Sequence, residues 1–208
     1  MASIITRDFL CNNVDRMLVL IKKYLFENMV AFLSVFLAAN IMILFGKLEM
    51  GIAAILYLPL GAKILMYLLF GFRVLPGILL ACTTSGVVLL NSWDGHLLIG
   101  SISACAGTLA PIIAMWTMKI TQVCDFSNLR NIDFRHILFL VVFTSIISAL
   151  LKFFVFYDVN SNIETVSFIA QDITGDILGS LLVIYFVLKA IVPLISKFYN
   201  HNGTRHIY

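Results

Sequence analysis

The chain alternates between long apolar runs and short polar breaks. The runs cover about residues 26–46, 50–70, 74–92, 97–118, 136–156 and 170–195. Each approaches the ~20 predominantly apolar residues a helix needs to cross a bilayer. Most breaks are turn-sized, such as "FGKLEMG", "FGFRVLPG" and "NSWDGH", while "KITQVCDFSNLRNIDFR" and "YDVNSNIETVS" are longer. A closed β-barrel would show alternating segments of about ten residues, and these runs are continuous. The pattern predicts an all-α, polytopic integral membrane helical bundle of about six transmembrane helices, since helices satisfy their own backbone in lipid. No internal repeat is visible, which argues against an inverted-repeat transporter.

Ahead of the first run, "TRDFLCNNVDRMLVLIKKYLFEN" places Phe9, Leu10, Met17, Leu18, Ile21, Tyr24 and Leu25 near one helical face, bordered by Arg7, Arg16, Lys22 and Lys23. That spacing predicts a basic amphipathic helix on the membrane surface. The expected organisation is an amphipathic segment over 1–24, a six-helix membrane domain over 25–196 and a tail over 197–208. No cleavable signal peptide is read in the first residues.

Composition sharpens the class. Of 208 residues 61% are hydrophobic and only 12% charged, and the mean hydropathy is +1.01. A soluble domain carries about 25% charged residues. The net charge of +3 comes from scattered basic residues and forms no stripe that could follow nucleic acid. Arg7, Arg16, Lys22, Lys23, Arg73, Lys119, Arg130, Arg135, Lys197 and Arg205 fall on one side of a six-span layout. Lys47 falls on the other, with Glu49, Asp94, Asp158 and Glu164. The positive-inside rule then places both termini in the cytoplasm. Cys11, Cys82, Cys105 and Cys124 lack metal-ligand spacing and read as small packing residues.

Catalytic motifs are missing: there is no H-E-x-x-H, G-x-S-x-G or P-loop. His96, His136, His201 and His206 sit in breaks, at a run's start or in the tail, away from the depth of the buried acids. The sequence therefore predicts no enzyme, no metal and no cofactor.

The chemistry-bearing feature is "FIAQDITGDILGSLLVIYFVLKAIV", residues 168–192, with Asp172 and Asp176 one helical turn apart. An acid near the centre of a span costs about 2.5–3.5 kcal/mol, and each Leu, Ile, Phe or Val returns roughly 0.3–0.6. The stretch tolerates both acids without gaining from either. Such acids face a bundle interior, a cavity or a partner charge; a satisfied packing pair is the plain alternative. Lys63, about 13 residues into its span by ~1.5 Å steps, is the expected partner of Asp176. Lys152 can pair with Asp172, but snorkelling to the headgroups is the favoured reading, as it is for Lys189. Gly175 and Gly179 flank Asp176 in a small-xxx-small spacing that admits a close neighbouring helix.

Two stretches resemble a known family. "LYLPLGAKILMYLLFGFRVLPGILLA", residues 56–81, is similar to the signature of the first type of membrane-associated sensor domain through Pro59, Gly61, Gly71, Arg73, Pro76 and Gly77. "DITGDILGSLLV" resembles that family's late Gly-Asp-x-Leu-Gly helix through Gly175, Asp176, Leu178 and Gly179. The resemblance implies a bacterial inner-membrane sensory domain, usually fused to a histidine kinase or a cyclic-di-GMP enzyme. Lacking such an output domain, the chain would work through a protein partner besides membrane lipid.

The leading expectation is thus a non-enzymatic sensor-like membrane module with Asp176, Lys63, Asp172, Gly175 and Gly179 as its polar core. A substrate-binding subunit of an energy-coupling transporter, taking a small-molecule ligand at the same core, is the alternative. A ligand-free scaffold or assembly subunit is the third.

Overall fold

The computed structural model describes residues 2–47, 56–86, 97–124, 126, 133–157, 165–187 and 189. Every regular element among them is helical: α1 (Ala2–Lys47), α2 (Leu58–Phe70), a 3₁₀ turn (Gly71–Val74), α3 (Leu75–Thr84), α4 (Leu97–Ile120), α5 (Phe134–Tyr157) and α6 (Thr165–Phe186). By length and composition four segments could cross a membrane, Met17–Met42, Leu58–Thr84 (α2 and α3 taken together across their turn), Phe134–Phe154 and Ile169–Phe186. The protein is a multi-pass helical membrane bundle.

The sequence-predicted boundary at residue 24 falls inside α1, which runs unbroken from Ala2 to Lys47. The reason is local: no glycine or proline occurs before Gly46 to end a helix. Parts of the expected spans (residues 50–55, 87–92, 188 and 190–195), the tail over 197–208, and His96, His201 and His206 lie outside the described residues.

Punctuation in the sequence explains the other ends. Pro59 and Pro76 sit in the first turns of α2 and α3, where a missing N–H costs nothing. Gly71, at φ 70°, ends α2. A Schellman turn closes α4: Gln122 takes φ 57°, its N–H donates to Lys119 O at 3.2 Å, and Val123 N–H donates to Met118 O at 3.0 Å. At the start of α5 the His136 N–H donates to the Asp133 carbonyl at 2.9 Å, and His136 Nδ1 accepts from the Asp133 N–H at 3.2 Å, the side-chain-to-N-cap half of a capping box.

α2 packs on α6 and α1, α5 lies between α4 and α6, and α3 packs on α1. On α1, Ala31, Val35, Ala38 and Ala39 are buried, whereas residues 17–26 are exposed throughout. α3 therefore doubles back beside the buried half of α1 after the 3₁₀ turn. One side chain fastens that reversal: Asn28 donates to Arg73 O at 3.1 Å and accepts from Gly77 N–H at 2.9 Å. Leu60, Ile64, Tyr67, Ile78, Met118 and Leu140 lie at the centre of the apolar core. Outward lie large apolar side chains, among them Leu33, Leu37, Trp116, Phe154 and Tyr185.

Candidate functional site

α5 and α6 run antiparallel, and their contacting faces carry polar residues every four positions. Lys152, Ser148 and Thr144 follow one another down α5, and Asp172, Asp176 and Ser180 down α6; Lys152 meets both acids and Ser148 lies beside Asp176. Steps of four keep side chains on one helical face, so each helix carries a polar stripe and the two stripes form a polar seam.

The seam begins with an ion pair. The Lys152 ammonium donates to both Asp172 oxygens at 2.9 Å and lies 3.5 Å from Asp176 Oδ2. It also sits 4.7 Å from the centroid of the Tyr57 ring, a cation–π contact. Burial increases along the seam: the side chains of Lys152 and Asp172 are 13% and 20% exposed, and that of Asp176 0%.

The deeper residues are buried and unsatisfied. Thr144, Ser148, Asp176 and Ser180 are all inaccessible. Their oxygens, including both carboxylate oxygens of Asp176, make no hydrogen bond. Ser148 lies close enough to Asp176 to act on its carboxylate, but outside direct hydrogen-bonding geometry. An unmet buried polar group costs about 1–3 kcal/mol, and more when charged.

Lys63 is not the direct partner of Asp176. Lys63 is 2% exposed; its ammonium donates to Gly107 O on α4 at 3.4 Å and acts on Asp176 only through space. Helix register gives the reason. Tyr57 N–H donates to Gly175 O at 3.0 Å, and the Gly61 site abuts Ser180 and Val183, so α2 and α6 run parallel with Asp176 level with the start of α2. Lys63 then sits roughly 8 Å deeper at ~1.5 Å per residue. Lys152, expected to snorkel, instead turns inward into the cluster, bonded to Asp172 and beside Asp176. Lys189 is exposed and donates to the Tyr185 hydroxyl at 2.7 Å.

The two stretches singled out in the sequence meet in space. The backbone of Tyr57 lies where a Cβ on Gly179 would stand, 2.5 Å from its C and O atoms. Gly175 accepts the Tyr57 N–H, Gly61 faces Ser180, and Pro59 is buried between. Gly71, Arg73, Pro76 and Gly77 gather instead at the far end of α2, where Arg73 and Gly77 bind Asn28. Cys82 and Cys105 are free thiols; Cys82 and Cys124 pack against the apolar core, while Cys105 is exposed on α4 rather than packed.

Sequence reasoning missed Lys152 as the central cation, Tyr57 as its aromatic neighbour and the three hydroxyls below it. A visible signal was available: Thr144, Ser148 and Lys152 share the four-residue step that singled out Asp172 and Asp176. No family model matches the chain, and no curated protein or solved structure matches it.

Proposed function

We propose that this chain is a non-enzymatic, sensor-like module of a bacterial inner membrane that acts through a partner protein. The observation that carries this reading is one buried ammonium shared between two carboxylates: Lys152 bonds Asp172 at 2.9 Å and lies 3.5 Å from Asp176. A small displacement of Lys152 exchanges its partner, and buried charges make that exchange costly enough to define two states. Tyr57 couples the cluster to α2, because its ring receives Lys152 and its backbone is seated on α6. The other end of α2 is the turn tied to α1 through Asn28. A change of partner at Lys152 is thereby offered to the opposite end of the bundle.

In this reading the chain has six spans and cytoplasmic termini, as the one-sided distribution of Arg and Lys supports. The exposed Leu, Phe and Trp side chains meet lipid. The resemblance of residues 56–81 and Gly175–Gly179 to membrane-associated sensor domains points the same way. Recovery from host membranes of the wild type and Asp176→Asn tests the proposal. A kinase or nucleotide cyclase co-purifying with the wild type, with output altered by the folded variant, is the expected result. Unchanged folding, partner capture and signalling would remove the cluster from any signalling role.

The unsatisfied hydroxyls favour one second reading, a binding subunit of a membrane transporter whose small-molecule ligand occupies the seam. Co-purification with an ATPase, or with a bound small molecule, would select it.

A further inference from the structure

We propose that the deeper part of the α5–α6 seam is a binding site for a monovalent alkali cation, with Na⁺ as its reference ion. The ligands are the Asp176 carboxylate and the hydroxyl oxygens of Ser148, Thr144 and Ser180. This deepens the functional reading above by naming what occupies the seam.

The hydroxyls carry the inference. In a membrane helix a serine or threonine ordinarily donates to a carbonyl three or four residues back. Ser34, Thr83, Thr84, Ser85, Thr117 and Thr174 all do so. So does Ser145, bonded to Val141 O at 2.9 Å beside Thr144. Thr144, Ser148 and Ser180 do not, although each is fully buried. Their oxygens have no hydrogen-bond partner, and neither do the two oxygens of Asp176, which has Lys152 at 3.5 Å as its ion-pair neighbour.

Charge and donor type select the ion. Hard oxygen donors suit alkali and alkaline-earth cations rather than soft metals. Among the described residues no three His, Cys, Asp or Glu side chains converge, and Asp172 is already bonded through both oxygens to Lys152. That leaves Asp176, which Lys152 approaches to 3.5 Å and Lys63 reaches only through space, as the one carboxylate beside the hydroxyls, so the site takes at most a single positive charge, in competition with Lys152; a divalent ion takes more carboxylates. A lone proton on Asp176 would neutralise the acid yet leave the hydroxyls of Thr144 and Ser180 unmet.

The charged and titratable groups facing Asp176 are Lys152 on α5, Asp172 on α6, and Tyr57 and Lys63 on or beside α2. Lys152 approaches from the Asp172 side, so the cation sits on the opposite side of Asp176, toward Ser180 and Thr144. Lys152 is then its internal competitor: an ion on Asp176 releases Lys152 fully to Asp172, and loss of the ion draws it back.

The test is thermal unfolding of the full chain in detergent, with sodium, lithium, potassium or choline chloride at equal ionic strength and constant pH. Sodium is expected to raise the midpoint by about 2–4 °C over choline. Ser148→Ala and Asp176→Asn should abolish that rise, whereas Ser145→Ala, whose hydroxyl is spent on its own helix, should keep it. If Asp176→Asn does not fold, Ser148→Ala and Ser180→Ala carry the comparison. Equal midpoints in all four salts overturn the site, and so does a sodium rise that survives Ser148→Ala and Ser180→Ala together. A flat salt response with Asp176→Asn still altering a partner's output would sink the cation while leaving the signalling proposal standing. A lost sodium rise with unchanged signalling would do the reverse.

Discussion

Lys152 occupies the position on which the polar cluster depends. It bonds Asp172 through two 2.9 Å contacts, approaches Asp176 to 3.5 Å and stacks over Tyr57. Removing one partner of a buried ion pair leaves uncompensated charge and costs about 3–5 kcal/mol. Lys152→Met should therefore destabilise the protein by that order, and adding Asp172→Asn and Asp176→Asn should restore much of the loss. Denaturant midpoints of the single and triple variants check this, and a near-neutral single variant would mean the acids are not held as charges. Sequence alone exposed Asp172 and Asp176, because a carboxylate inside an apolar run is conspicuous. It favoured Lys63 over Lys152 because depth from a run's end is a poor ruler when the relative register of two helices is unknown. The seam hydroxyls were hidden for another reason: serine and threonine are ordinary in membrane helices, and only the folded structure distinguishes those that bond to their own backbone.

At the scale of elements, the α2–α6 contact decides the geometry of the site. Gly179 admits the backbone of Tyr57 to a distance where no side chain fits. Gly179→Ala should push the helices apart, shift Tyr57 from Lys152 and cost about 1–3 kcal/mol. A lowered thermal midpoint together with loss of the sodium response is the expected outcome, and an unchanged midpoint would show that the contact is not close in solution. The elements themselves were partly legible. Long apolar runs announced helices, and Pro59, Gly71 and Pro76 marked where the chain would turn. The surface helix expected over 1–24 did not separate from the first span, because amphipathic spacing describes a face and says nothing about where a helix stops. The small-residue spacing at Gly175 and Gly179 pointed to a close neighbour but could not say which helix would come.

At the scale of the whole molecule, the all-helical membrane class followed from hydropathy alone, while the neighbour relations did not. Asn28 clamps α1 to the turn after α2 and to the start of α3, and the polar seam belongs to α5 and α6. This division gives the chain an order of assembly. Lys152 and Asp172 are separated by 20 residues, roughly 1–4 s of synthesis at 5–20 residues per second. During that interval α5 carries a charge into the insertion machinery with no acid to meet it, at a cost of up to about 2.5–3.5 kcal/mol. A nascent chain stopped after Tyr157 should insert α5 less completely than the same chain with Lys152→Leu, and extension through Phe186 should erase the difference. Protease protection of a tag placed after α5 measures this, and equal protection in the stopped chains would count against it. The close spacing of the pair thus makes the last hairpin, rather than the single helix, the unit that the membrane accepts.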